Sequence, residues 1–425
     1  MTQSTRHTLI SKASLQTGLG IALVLAAMAG GTAVSAAAPE TADAQATEPA
    51  PAQAPAAASA SGAIYRDAIA EIESTQGAYA PQMSETLLGM GMMLQREDNH
   101  REAVRAFKRG IHLARINDGL YTPAQIPMLQ REIASHLALG QYAEADERQA
   151  YLYRVQMRSQ EAGITRARAF MQQAQWQYTA YRLALDGQAY ARVMSMWDLY
   201  RLALTDIMSR EGDSSAMLLE PLEGMLLAQY LIADFDVQSI NNSGTSADGF
   251  SMQHQQNRFN AYRAQSYKRG QAVIQAIYDI QRAQHGDHSL ETATSRAMLG
   301  DWMLWHGERD TAMKAYREAV AELTPREDAE VLMMRLFGEP EELPNIEGAS
   351  QLPEPVDPEQ ANLQLQFSVN SRGKVLDLER IDDNELDEAM ANRIMRELRR
   401  TQFRPRLAMG EPQDTETVTR AYEIK

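Results

Sequence analysis

A 26-residue interval recurs three times along this chain. Gly77-Ala78-Tyr79-Ala80-Pro81 returns 42 residues later as Gly119-Leu120-Tyr121-Thr122-Pro123, and an alanine follows each glycine by 26 residues, at Ala103 and Ala145. The same interval separates Gly286 from Ala312. A fixed period of this size marks stacked repeats, in which each unit is one supersecondary element that cannot bury its apolar face alone. Such arrays build extended concave surfaces, and their usual use is to hold another polypeptide.

Charge and composition narrow the partners. The net charge of −15 works against nucleic acid, whose phosphates need a basic surface, and against docking on anionic lipid. The chain has no cysteine, which excludes disulfides, a thiolate nucleophile, a Cys-based zinc site and an acylated lipoprotein anchor. The first 36 residues read as a secretory signal: Arg6 and Lys12 form a basic start, an apolar run follows, and Val34-Ser35-Ala36 supplies small residues for cleavage. Cleavage removes two basic and no acidic residues, leaving −17. The expected location is the periplasm, with an uncleaved inner-membrane anchor facing the periplasm as the alternative. No other segment reads as long and apolar enough to span a membrane.

Residues 37–62, mostly Ala, Pro, Thr, Gln and Ser, read as a disordered tether. Residues 63–338 carry a helical pattern, with a polar loop expected over 239–249. Residues 339–360 hold Pro340, Pro344, Pro353, Pro355 and Pro358, a density that forbids helix and predicts a mobile linker. From residue 361 the period switches from 3.6 to two, which marks a separate small domain. There Leu363, Leu365, Phe367 and Val369 alternate with polar residues, Asn370-Ser371-Arg372-Gly373 offers a hairpin turn, and Val375, Leu376 and Leu378 continue as a second strand. Leu386, Met390, Ile394 and Leu398 fall on one helix face, and residues 415–424 form a last strand.

The repeats resemble tetratricopeptide repeats in a 42-residue form. The first unit has Met90-Gly91, Leu94, Ala103, Phe107 and Gly110. The second has Leu129, Ile133, Gly140-Gln141-Tyr142, Ala145 and Leu152, with Glu132 where an apolar residue is expected. The last has Leu299-Gly300, Met303, Gly307, Ala312, Tyr316 and Ala319. The resemblance implies a mostly α fold, an α-solenoid of about five helix pairs, two of them irregular. It also implies that Arg96, Gln130, Asp301 and Trp305 line the concave, partner-binding groove.

The strand–strand–helix–strand order after residue 361 resembles the C-terminal domain of TonB, the bacterial energy transducer. Phe367-Ser368-Val369, Gly373-Lys374-Val375, Phe403-Arg404-Pro405 and Gly410-Glu411-Pro412 carry the likeness. It implies a small α+β (ββαβ) module, residues 361–425, that adds a peptide strand at a sheet edge. The edge in question is the last strand: Thr417, Val418, Thr419, Arg420, Ala421, Tyr422 and Glu423.

Catalytic and metal-binding constellations are weak. No His-Glu-x-x-His, Gly-x-Ser-x-Gly or phosphate-binding glycine loop occurs. His285-Gly286-Asp287-His288 reads as a polar loop, and Met83, Met90, Met92 and Met93 as helix packing. Arg393, Arg396 and Arg400 share a helix face and read either as a basic patch or as a solvated helix end complementing its own dipole. The expectation is therefore a non-enzymatic periplasmic adaptor without cofactor or metal. Its partners are proteins or peptides, outer-membrane transporter segments among them through the TonB likeness, and no small-molecule substrate is inferred. The alternatives are a membrane-anchored transducer with its N-terminal helix retained and a periplasmic hydrolase.

Overall fold

The computed structural model describes residues 55–185, 189–235, 249–350, 352–384 and 388–424. The signal-like segment, most of the tether, most of the loop expected at 239–249 and Leu386 lie outside these residues. The described chain is mostly helical, with a small β-sheet region near its C-terminus. It divides into two compact units after Gln160.

The first unit holds α1 (Pro55–Gln76), α2 (Met83–Arg96), α3 (His100–Asp118), α4 (Ile126–Ala138) and α5 (Tyr142–Ser159), each packed on the next. Helix α1 begins inside the stretch expected to be disordered. Its described part runs from Pro55 through three alanines, the strongest helix formers. The repeated glycine has a structural reason. Gly77 and Gly119 have φ of +90° and +105°, and Gly286 in the second unit has +79°. Open space surrounds all three, so the backbone conformation and not crowding selects glycine. Ala103 and Ala145, 26 residues on, are fully buried.

The second unit continues with α6 (Ile164–Arg182), α7 (Ala189–Glu211), α8 (Leu219–Asp234), α9 (Gly249–His285), α10 (Leu290–Trp305), α11 (Arg309–Leu323) and α12 (Ala329–Phe337), again packed in sequence through α11. A stretch around α8, Ala216–Asp234, is long and apolar enough to cross a membrane, contrary to the reading of the sequence. Most of it is buried, with Leu222, Leu226, Ala228 and Ile232 covered where α7 and α9 pack on it, as a core helix requires.

Glycines also set helix spacing. A Cβ on Gly91 of α2 would stand 2.3 Å from the Phe107 ring of α3, and one on Gly300 of α10 would stand 2.4 Å from Tyr316 of α11. In both pairs the aromatic lies sixteen residues after the glycine. Both rings are fully buried, each seated against the bare backbone of the preceding helix.

Next come β1 (Glu341–Leu343), β2 (Leu363–Val369), β3 (Val375–Arg380), α13 (Glu388–Arg400), β4 (Gln402–Arg404), β5 (Arg406–Ala408), β6 (Glu411–Gln413) and β7 (Thr415–Tyr422). A three-stranded antiparallel sheet has the order β3-β2-β7, and β1–β4 and β5–β6 form two further antiparallel pairs. The alternation read in β2 holds: Leu363, Leu365, Phe367 and Val369 are buried against Ala391 and Leu398 of α13, with Phe403, Val418 and Tyr422. Ala391 is the buried residue where Met390 was expected, and Met390 itself is half-buried.

The described part of the Pro-rich stretch 339–360 is attached at several points, which corrects the expectation of a mobile linker. Leu343 in β1 is buried and pairs with Gln402. The Tyr178 hydroxyl donates to the Gly348 carbonyl at 2.9 Å, Leu352 is buried in the sheet core, and the Val356 amide donates to the Ala421 carbonyl at 2.8 Å. Proline excludes helix but not extended chain at a sheet edge, and the interspersed leucines supply the apolar anchors.

Candidate functional site

Three places hold the residues singled out from the sequence. In the first unit Arg96 and Gln130 are exposed, as a binding surface requires. Arg96 borders a shallow open depression with Met92, Gln95 and Arg131, where the Gln95 amide donates to the Arg131 carbonyl and the Ser135 hydroxyl, both at 2.8 Å. Two residues beyond Gln130 in α4, Glu132 is completely buried. Cations from two neighbouring helices make that possible: Arg148 Nε of α5 lies 2.9 Å from its carboxylate and Lys108 Nζ of α3 at 3.9 Å, with the His136 ring of α4 at 3.6 Å. Burial pushes the Glu132 carboxyl up, and the charges of Arg148, Lys108 and His136 oppose it.

Asp301 and Trp305 belong to the second unit. Trp305 is half-buried at the C-terminal end of α10, within an aromatic group. Its ring meets Tyr230 edge-on at 5.1 Å, Trp302 in a stack at 6.0 Å and His306 edge-on at 4.8 Å. Burial pushes the His306 imidazole down to about 4, so it is neutral at ordinary pH. Packing and exposure therefore coexist at Trp305.

Asp301 is not a groove residue. It is buried, and its carboxylate accepts from Arg404 Nη1 at 2.8 Å and from the Tyr316 hydroxyl at 2.8 Å. Arg404 is equally buried, donates through Nη2 to the Leu336 carbonyl at 3.1 Å and stacks over Phe337. Burial pushes the Asp301 carboxyl up, while the Arg404 charge and the Tyr316 hydrogen bond oppose it. The sequence offered Phe403-Arg404-Pro405 as a motif but not its target, which lies 103 residues away on α10. The second motif behaves alike: Gly410 sits against Arg317 of α11, which pairs with Glu411 at 3.0 Å.

The β7 edge is the third place. β7 borders the sheet, with β2 on one side. On its outer side the Pro355–Val356 segment covers the end of the strand, bridging Tyr422 and bonding Ala421. No strand lies beside Thr417 and Thr419 on that side among the described residues, and both are exposed. Val418, Ala421 and Tyr422 are buried, and Arg420 is half-buried with its guanidinium reaching the Thr419 and Pro340 carbonyls. Of the seven residues read as an edge, then, the stretch around Thr417 and Thr419 is open and the Ala421 end is occupied by the chain itself.

The histidine-containing loop is tied internally. Asp287 is held by Arg282 at 2.5 Å, and His288 Nδ1 lies 3.0 Å from the Glu322 carbonyl. Of the methionines, Met83 and Met93 are buried in the helix packing and Met90 and Met92 half-buried. No group of three or more His, Cys, Asp or Glu able to hold a metal occurs among the described residues. No protein-family model matches this chain, and no curated protein matches it either.

Proposed function

We propose that this chain is a non-enzymatic adaptor of the periplasm. In this reading a tetratricopeptide-type α-solenoid and a TonB-like C-terminal module each present surface to other polypeptides. The carrying observation is the outer edge of β7, where among the described residues no strand lies beside Thr417 and Thr419 while the far end already accepts an extended segment of the same chain. An edge that binds one extended segment has the geometry to bind another, with backbone pairing supplying affinity and adjacent side chains supplying selectivity. The recurring glycine–aromatic interlocks at Gly91–Phe107 and Gly300–Tyr316 support the repeat reading of the helices. The exposed Arg96 and Gln130 support a second contact surface on them.

The test is crosslinked capture by the full chain from periplasmic and outer-membrane extract, with Thr417→Pro and Thr419→Pro variants run in parallel. Proline removes the outward N–H that strand addition needs. Partners retained by the parent chain and lost by a folded proline variant support the reading; identical capture by all three chains removes β7 as the site. The intact mass of the native protein separates a processed periplasmic chain from an anchored transducer.

A further inference from the structure

Helix α13 carries two opposed faces. At about 100° per residue, Ala391, Ile394, Met395 and Leu398 fall on one side, and they are the residues that pack in the sheet core. Arg393, Arg396 and Arg400 fall on the other side with Arg399 on its flank, and all four are exposed. None of the four makes an ion pair among the described residues, although Glu397 shares their helix. Some arginines elsewhere are taken up by carboxylates, such as Arg166 by Asp206, Arg282 by Asp287 and Arg380 by Asp382, and others, such as Arg96 and Arg131, are not among the described residues; what sets α13 apart is four exposed arginines within eight residues. A chain with 56 acidic and 41 basic residues has acids to spare, yet among the described residues none pairs with these four clustered guanidiniums.

The fold extends this stripe. The Gln402 side chain donates to the Arg372 carbonyl at 2.9 Å, and the Phe403 amide donates to the Gly373 carbonyl at 2.9 Å. These bonds bring the β2–β3 turn to the C-terminal end of α13. Arg372 and Lys374 in that turn are exposed and have no ion-pair partner among the described residues. The helix dipole accounts for cations in the last turn, at Arg399 and Arg400, but its effect falls off within one turn. It does not account for Arg393, Arg396 or the turn residues.

We infer that the exposed face of α13, extended by Arg372 and Lys374, is a docking surface for an acidic polypeptide segment. The inference deepens the adaptor reading and rests on it by naming the chemistry of one partner. Arg393, Arg396 and Arg400 step by three and four residues over about 10 Å, a spacing that matches carboxylates on successive turns of an acidic helix. The helix stripe is entirely arginine, whose planar fork binds carboxylate in a bidentate manner where lysine acts as a point charge. A short acidic segment meets only this local stripe. An extended anionic bilayer would also meet the field of a chain whose net charge is −15.

The experiment measures binding of the full chain to a fluorescein-labelled helical peptide with glutamates on successive turns, by anisotropy at low and physiological ionic strength. The parent chain should bind, more weakly as salt rises. The triple variant Arg393→Gln, Arg396→Gln, Arg400→Gln should lose at least tenfold in affinity while keeping its melting temperature, since the replaced groups are exposed. The triple lysine variant should fall between the two. Phosphatidylglycerol vesicles are run alongside, and the chain alone is examined by sedimentation. An unchanged affinity in the glutamine variant overturns the inference. So does absence of peptide binding by the parent chain, vesicle binding that the peptide does not displace, or self-association abolished by the same substitutions. If the glutamine variant still captures the partners that depend on β7, the adaptor reading stands and only the arginine stripe loses its role.

Discussion

Arg404 and Asp301, 103 residues apart in sequence, form a buried ion pair at 2.8 Å that joins β4 to α10. Around it, β1 pairs with β4, Leu343 and Leu407 enter the same apolar cluster as Tyr316 and Phe337, and Arg317 reaches Glu411. Removing one partner of a buried pair leaves the other charge without compensation. Arg404→Met should therefore destabilise the second unit by about 3–5 kcal/mol. Combining it with Asp301→Asn, which keeps an acceptor for Tyr316, should recover part of that loss. Thermal or denaturant unfolding of the single and double variants checks this; equal melting temperatures for Arg404→Met and the parent chain would show that the pair is not a significant tie.

The glycine–aromatic interlocks make a second prediction. Gly300→Ala drives a methyl into the Tyr316 ring, and Gly91→Ala does the same at Phe107, so each should cost about 1–3 kcal/mol despite alanine's better helix propensity. Ala312→Leu, in the same buried cluster as Tyr316, should cost a similar amount. A gain in melting temperature for Gly300→Ala would mean that propensity outweighs contact there.

A third prediction concerns acid. Burial alone would raise the Asp382 carboxyl, but hydrogen bonds from Arg380 and from the Gln364 and Asn384 amides, with the Arg380 charge, hold it down to about 2. The folded form therefore binds its proton less readily than the unfolded chain, whose ordinary value is 3.8. This group's stabilisation is fully present above about pH 4 and is lost as the pH falls through about 2. Asp382→Asn should lower the melting temperature at neutral pH and flatten its decline between pH 4 and 2. Parallel curves for variant and parent would remove Asp382 from the acid response.

Much of this architecture was legible because it rests on local pattern. The turn glycines announced themselves by period, Ala103, Ala145 and Ala312 by spacing, and the β2 face by alternation. Less legible were features whose cause lies far along the chain. Asp301 read as a groove residue because its position in α10 is all that sequence shows; the guanidinium that buries it comes from β4. Glu132 looked like a break in register, whereas Arg148 and Lys108 converge from the two neighbouring helices to hold it in the core. The prolines of 339–360 correctly excluded helix, but proline content says nothing of whether an extended segment is held, and here Leu343, Leu352 and the Val356 amide hold it.

That attachment gives a fourth prediction. Limited proteolysis of the full chain should leave 339–360 intact while exposed turns elsewhere are cut. Tyr178→Phe, which removes the bond to the Gly348 carbonyl, should speed cleavage near that residue. First cleavage within 339–360 of the parent chain would contradict the observed packing.

In the adaptor reading proposed above, this chain holds another polypeptide, with β7 as one place of contact. Amide hydrogen exchange on the full chain, with and without a captured partner, measures this most directly. Added protection at Thr417 and Thr419, with little change at the already bonded Ala421 end of the strand, is the predicted result. Identical exchange along β7 in the presence of a saturating partner would contradict strand addition at this edge.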